Sequence, residues 1–201
     1  MRTKTPFLRE KMLEAAGKLF GSKRFHEVRM EDIAAEAAVS KGTLYRYFQD
    51  KEEMFLAILA RASHELVLEL RARVAEANTS RERLIAVADA IITFFDRRPH
   101  LFDLIQRAEL AQGQGRAFPW QEARDKGMRI VLDIFAAARQ AGEFTVSQPE
   151  TAMLMLLGGL RAVVRAGVQP RPQGLARDIV DGFLIGAAAP TRKRSQKLAR
   201  V

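Results

Sequence analysis

The sequence predicts an all-α protein of about nine helices. Apolar residues recur three and four positions apart along most of the chain, as they do on one face of a helix, and no stretch alternates convincingly with the period of a strand. A hydroxyl or carboxylate residue with a glutamate three positions later marks several helix starts. The 201 residues are 48% hydrophobic and include no cysteine, so the chain has material for a core but none for disulfides or thiolate zinc sites.

The first fifty residues predict three short helices joined by tight turns. The first helix runs from about Arg9 to Ser22, and the second is a short segment from Glu31 to Ala37. Ser40 is a suitable N-cap for a third helix from Lys41 to Phe48. We therefore expect residues 1–50 to form one domain.

Longer helices follow. Asp50 with Glu53 predicts the start of a long helix over 51–77, and Thr79 with Glu82 predicts the start of the next, which ends before Pro99. Further helices are expected over 100–110, 121–141, 149–166 and 174–188, with Ser147 and Glu150 as a capping pair before the third of them. We expect 51–189 to form a second domain, which helix 51–77 links to the first, and 190–201 to form a basic tail.

The net charge of +9 is concentrated at the two ends of the chain. Residues 1–50 carry ten basic and seven acidic side chains, and residues 190–201 carry five basic and no acidic ones. A basic end suits a polyanion, either nucleic acid or an anionic membrane surface, although a solubilising tail explains the C-terminal charges equally well.

No segment of the sequence predicts export or a membrane span. The longest apolar stretch without charge, Thr151 to Leu160, is far shorter than the ~20 residues that cross a bilayer. The N-terminal residues lack the apolar core of a signal peptide. We expect a soluble cytoplasmic protein without a membrane partner.

Residues 29–48, RMEDIAAEAAVSKGTLYRYF, predict a helix-turn-helix. Ala38, Val39 and Ser40 form the turn, and small apolar side chains on both helices can share a core: Ile33, Ala34, Ala37, Val39 and Leu44. The second helix then keeps cations, a hydroxyl and two phenols off that core. These side chains suit phosphates and base edges, and the second helix of such a motif enters the major groove. The segment therefore predicts binding to double-stranded DNA.

The stretches LREKMLEAAGKLF and EDIAAEAAVSKGTLYRYFQDKEEMF resemble the TetR family of bacterial transcriptional regulators. The resemblance implies DNA contacts at Thr43, Tyr45, Tyr47 and Lys51, and a position that varies with the operator at Arg46. With the neighbouring residues, the predicted DNA-binding set is Arg29, Ser40, Lys41, Gly42, Thr43, Tyr45, Arg46, Tyr47 and Lys51.

Three positions depart from the family pattern. Ala38 and Arg24 stand where the family usually has glycine, and Arg29 stands where a threonine normally caps the second helix. A residue other than glycine can adopt the turn conformation at modest cost. We therefore expect these departures to affect local geometry more than DNA contacts.

Beyond Leu56 the resemblance is one of architecture. It implies a helical domain for ligand binding and dimerisation, whose last two helices form a four-helix bundle across a two-fold axis. The predicted interface residues are Met153, Leu157, Leu160, Val164, Phe183 and Gly186. The alternative is that these helices are buried within one subunit.

The predicted ligand pocket consists of aromatic and apolar residues of the middle helices: Phe94, Phe95, His100, Phe102, Ile105, Phe118, Trp120, Met128 and Phe135. Ordinary core packing is the alternative for each single residue. As a group they favour a cavity for a flat or lipophilic molecule.

These observations predict a homodimeric repressor that binds a palindromic operator and leaves it when a small apolar or aromatic effector binds. One alternative is an activator, or a regulator controlled by a protein partner. Another is an all-α enzyme or interaction protein whose helix-turn-helix is accidental. Since the three histidines lack metal-ligand spacing and no nucleophile elbow or phosphate loop is present, we expect no metal, no cofactor and no enzymatic activity.

Overall fold

The computed structural model describes residues 6–99, 101–102, 104–105, 120–167 and 169–189. Within these residues the chain forms eight α-helices and two short antiparallel strands, with Thr145 paired to Ala189 and Val146 to Ala188. The elements are α1 (Pro6–Ser22), α2 (Met30–Glu36), α3 (Lys41–Tyr47), α4 (Lys51–Ala75), α5 (Ser80–Asp96), α6 (Gln121–Ala141), β1 (Thr145–Val146), α7 (Pro149–Ala166), α8 (Leu175–Ala187) and β2 (Ala188–Ala189). The predicted all-α class is confirmed.

Most predicted helix boundaries agree with the structure within a few residues. Helices α6 and α7 have the predicted bounds, whereas α1 begins earlier than expected. Residues 101–102 and 104–105 are helical, and the rest of the helix expected over 100–110 lies outside the described residues. The capping pair predicted before α7 is wrong, because Gln148 occupies the N-cap position there and Pro149 follows it directly.

The chain is divided into two compact units. Unit 1 comprises Met1–Glu69 and Thr93–Gly127, and unit 2 comprises Leu70–Ile92 and Met128–Val201. Neither unit is a single stretch of sequence. The division between 1–50 and 51–189 rests on a motif and stays a prediction. The basic tail at 190–201 lies outside the described residues and stays a prediction too.

The core of unit 1 joins α1 to α3 with the first half of α4. Ile33 and Leu44 are completely buried, Ala34 is nearly so, and Val39 packs against the same cluster from the turn. Full burial of a leucine or isoleucine side chain stabilises a fold by about 1.5–3 kcal/mol. The shared core predicted for the helix-turn-helix is therefore present.

The turn between α2 and α3 is built without glycine. Ala38 has a φ of 51°, in the left-handed region, which costs an L-residue about 1–2 kcal/mol relative to ordinary helix geometry. The amide of Val39 donates to the Ala34 carbonyl at 2.9 Å and closes the turn. The expectation that a residue other than glycine adopts this conformation is confirmed.

Arg29 begins α2 without a side-chain cap of the threonine kind. Its backbone N–H donates to the Asp32 carboxylate at 3.0 Å, so that the first turn of α2 is held by a residue inside the helix. The Arg29 side chain itself is exposed. Helix α2 therefore begins at the expected place even though Arg29 stands where the family usually has a capping threonine.

Unit 2 has its own hydrophobic core and its own hydrogen-bonded ion pair between helices. Large side chains on α5 to α8 are buried, among them Leu84, Val131, Phe135, Leu156 and Val180. The Arg81 guanidinium donates to both carboxylate oxygens of Asp181 at 2.7 and 2.6 Å, which connects α5 with α8. In the described part of the chain, no helix combines the length and apolarity that crossing a membrane requires.

Candidate nucleic-acid interface

The first turn of α3 is fixed by its N-cap. Ser40 Oγ accepts a hydrogen bond from the Thr43 amide at 3.1 Å and lies 2.8 Å from Thr43 Oγ1. Ser40 has extended backbone angles, with φ −72° and ψ 150°, as an N-cap residue should. The predicted cap is therefore present, and it sets the residue at which the second helix begins.

Two buried residues determine which side of α3 faces solvent. Leu44 and Phe48 are buried in the core of unit 1, at 0% and 1% exposure. Lys41, Gly42, Tyr45 and Arg46 are exposed, whereas Thr43 and Tyr47 are half-buried. The structure thus brings the predicted side chains of α3 onto its accessible side.

Lys41 lies between α2 and the Tyr45 ring. Its ammonium group forms an ion pair with the Glu31 carboxylate and stands 5.8 Å from the centre of the Tyr45 ring. The hydrogen bond between the two groups lowers the pKa of Glu31 and raises the pKa of Lys41 from their ordinary values. Lys41 is therefore a fixed positive charge at the start of α3, and it already has an anionic partner.

Arg46 keeps most of its hydrogen-bonding capacity. One guanidinium nitrogen donates to Thr43 Oγ1 at 3.4 Å, a long contact. A guanidinium carries five N–H donors, and the others find no acceptor among the described residues. Arg46 is therefore available for a bidentate contact outside the chain.

Lys51 is bound within unit 1. Its ammonium donates to the carbonyl oxygens of Phe25, Val28 and His26 at 2.8, 3.1 and 3.4 Å. It also lies 4.6 Å from the centre of the Phe25 ring, and that ring packs against Phe20 and Phe55. Since an ammonium has three donors, these carbonyls use all of them.

Lys51 thus links the start of α4 to the segment between α1 and α2. The resemblance implied a DNA contact for this residue, and the structure gives it a different set of partners. The carbonyls of Phe25, His26 and Val28 lie between helices and need a donor from elsewhere, but the sequence around Lys51 does not show that it supplies one. A DNA contact by Lys51 stays an untested prediction.

The predicted pocket residues divide between the two units. In unit 1, the Phe95 ring lies 5.5 Å from Phe94 and 5.3 Å from Phe102, centre to centre, and Trp120 and Ile105 belong to the same core. Met128 and Phe135 belong to unit 2, where Phe135 stacks on Phe183 at 6.2 Å. His100 and Phe118 lie outside the described residues. The pocket stays a prediction.

Two of the six predicted interface residues are buried inside unit 2. Met153 and Leu160 have exposures of 5% and 0%, and Leu157, Val164 and Phe183 are half-buried, while Gly186 is exposed. The next residues along α7, Leu154 and Met155, are instead 59% and 62% exposed. For Met153 and Leu160 this burial agrees with packing inside one subunit, the alternative stated above.

A helix-turn-helix with a buried inner side and a cationic, phenolic outer side on its second helix defines a DNA-binding domain. Residues 12–58 match the family model of bacterial regulatory proteins of the tetR family. The HTH-type transcriptional activator FasR of Mycolicibacterium smegmatis is 34% identical over 97 residues, which are 48% of this chain and 44% of FasR. Over these residues the chain is similar to transcriptional regulators of the TetR family.

The chain spans less than half the length of the curated relatives it matches, but solved structures match nearly all of it. A tetR-family regulatory protein from Rhodococcus RHA1 superposes with a TM-score of 0.77 at 20% identity, over 92% of this chain and 100% of that one. FadR from Bacillus subtilis in complex with stearoyl-CoA gives a TM-score of 0.74 at 18% identity, over 88% and 98%. These likenesses confirm the predicted fold class.

Replacing Lys51 with alanine tests the role that its contacts indicate. Lys51→Ala should lower the free energy of unfolding by roughly 2 kcal/mol, because hydrogen bonds from a charged group to the carbonyls of residues 25–28 are lost. The salt dependence of DNA binding, measured where the variant is folded, should not change. Lys41→Ala is the matched control, and it should leave stability nearly unchanged and reduce the salt slope by about one unit.

The opposite pair of results would assign Lys51 to the DNA. A Lys51→Ala protein as stable as the parent, with a salt slope reduced by about one unit, would mean that its ammonium contacts a phosphate.

Proposed function

We propose that this protein is a homodimeric transcriptional repressor that reads a two-fold symmetric DNA site with α3. The observation that supports the proposal is the arrangement of α3, on which buried Leu44 and Phe48 leave Lys41, Tyr45 and Arg46 accessible. The cytoplasm, where DNA lies, would be its place of action. Activation is the second candidate, because the relative FasR is named a transcriptional activator.

The side chains of α3 suit two different parts of a DNA duplex. Arg46 has a largely unoccupied guanidinium, and this group pairs bidentately with the major-groove edge of guanine. Lys41 and Tyr45 suit phosphates, which fix position without reading sequence. A phosphate would take the place of Glu31 as the partner of Lys41, so that binding exchanges one ion pair for another.

Selection of bound sequences from random DNA tests this assignment. The parent protein should select a two-fold symmetric site, and Arg46→Ala should lose preference at one or two base pairs per half-site, at about 1–3 kcal/mol. Arg24→Ala, which removes an exposed arginine outside α3, should select the parent's sequence. An unchanged motif for Arg46→Ala would mean that Arg46 contacts only the backbone.

The exposed sides of α7 and α8 support dimerisation. Leu154, Met155 and Ile185 are 59%, 62% and 86% exposed, an unusual exposure for large apolar side chains on two helices that pack together. At the glycines of these helices, including Gly158, Gly159, Gly182 and Gly186, an added Cβ would meet nothing within 4 Å. Packing within one chain therefore does not require glycine at these positions. A second chain that packs closely against these helices would require it.

A single charge among the exposed apolar residues Leu154, Met155 and Ile185 should separate the subunits. Met155→Glu should be a monomer at micromolar concentration in sedimentation velocity, because the carboxylate would otherwise be buried without a partner. Leu68→Glu, at a 53% exposed apolar position of α4, is the matched control and should remain a dimer. A monomeric parent protein, or a dimeric Met155→Glu variant, would contradict an interface formed by α7 and α8.

We further propose that a small apolar or aromatic effector releases the protein from DNA. Supporting this, Phe94, Phe95 and Phe102 form an edge-to-face group in which Phe95 is half-buried and the other two rings are buried. Phe95 is therefore the ring that an entering ligand reaches most directly. The FadR structure contains stearoyl-CoA, which makes this long-chain molecule a reasonable first probe.

Thermodynamic linkage distinguishes an effector from a bound bystander. Stearoyl-CoA affinity, followed by the fluorescence of the single tryptophan, Trp120, should fall about 5–150-fold when the selected DNA is present. Equal affinities with and without DNA would mean that the compound binds but does not control DNA binding.

A further inference from the structure

Unit 2 contains a groove that neither the predicted pocket nor the DNA-binding surface uses. Its volume is about 430 Å³, within the range of small-molecule sites. It is lined by Arg71 and Val74 of α4, Arg83 of α5, and Ile130, Asp133 and Ile134 of α6, together with two alanines. None of the residues predicted for the ligand pocket lines it.

The walls of the groove are apolar and come from regular helix faces. Ile130 and Ile134 are four residues apart on α6, so their side chains lie one turn from each other on the same side. Ile134 is buried, whereas Ile130 and Val74 are half-buried and remain accessible. An unbranched aliphatic chain fits against such a surface without the loss of any hydrogen bond.

The arginines of unit 2 differ in whether a carboxylate partners them. Arg73 pairs with Asp89 and Arg81 pairs with Asp181. Arg71 and Asp133, by contrast, form no ion pair or hydrogen bond within the described part of the chain. Arg83 donates its Nε to the Ala77 carbonyl at 3.3 Å, and its terminal nitrogens find no acceptor among those residues.

We propose that this groove binds a small monocarboxylate with an aliphatic chain. Two guanidinium groups supply the donors that a carboxylate accepts, and the isoleucine and valine side chains cover the aliphatic part. Asp133 reduces the excess positive charge of the lining to a single unit, which a monoanion neutralises, whereas a phosphate dianion would leave one negative charge without a partner. The inference rests on the proposed function only in that such a ligand would act as an effector.

Calorimetric titration of the full chain with octanoate, in the absence of DNA, tests the site. One octanoate molecule should bind per chain. Both 1-octanol and octyl phosphate should bind at least about tenfold more weakly than octanoate. Arg71→Gln and Arg83→Gln should each weaken octanoate about tenfold and leave octanol unchanged, whereas Asp133→Asn should strengthen octanoate severalfold. Arg129→Gln, an exposed position of α6 outside the lining, is the control and should bind like the parent.

Two results would overturn the proposal: octanoate binding no tighter than octanol, or unchanged octanoate binding by both Arg71→Gln and Arg83→Gln. DNA binding by the same proteins without octanoate keeps this outcome separate from the proposed function. A parent protein that binds DNA but not octanoate would refute only the groove site, and one that binds octanoate but not DNA would refute only the regulatory function.

Discussion

The hydrogen bonds from the Lys51 ammonium to the carbonyls of Phe25, His26 and Val28 are the contact on which the geometry of unit 1 depends. It joins the first residue of α4 to the segment that leads from α1 into α2. Helices α2 and α3 have only seven residues each, well below the ~12–15 residues at which an isolated helix becomes even marginally stable. They exist because tertiary contacts hold them, and Lys51 supplies a link between the elements that precede and follow them.

The rotation of α3 about its axis follows from the same packing. Leu44 and Phe48 are buried against α1, α2 and α4, which leaves Tyr45 and Arg46 no position except the solvent side. Ser40 sets where the helix begins, and Glu31 holds Lys41 in place beside Tyr45. The side chains proposed to read DNA are thus positioned in the free protein, which would reduce the entropy lost on binding.

The helix-turn-helix was predictable because its determinants are local in sequence. Ile33, Leu44 and Ser40 lie within twelve positions of each other, so apolar spacing and capping preference identify the two helices and their shared core. Lys51 was not predictable in the same way. Its partners lie 23 to 26 positions away, and a lysine at a helix start has the same pattern whether it binds a carbonyl or a phosphate.

For the last helices, the sequence predicts the helices themselves but not which of their sides is buried. Helix α7 carries apolar residues on more than one side, and spacing alone does not tell which side packs inside the subunit. Burial decides this for Leu160 and Met153, which are inside, and for Leu154 and Met155, which are exposed. The aromatic residues of the predicted pocket are a related case, since Phe102 and Phe135 are equally apolar but belong to different units, and the pocket stays a prediction.

The side-chain ammonium signals of the lysines, observed by NMR in protein labelled with ¹⁵N-lysine, test the central claim most directly. Lys41 and Lys51 can be compared in one spectrum, each assigned by its arginine variant. On addition of the selected DNA, the Lys41 signal should shift as its ammonium exchanges Glu31 for a phosphate, and the Lys51 signal should stay in place and remain protected from exchange with water. A Lys51 signal that shifts with DNA while Lys41 does not would contradict the account.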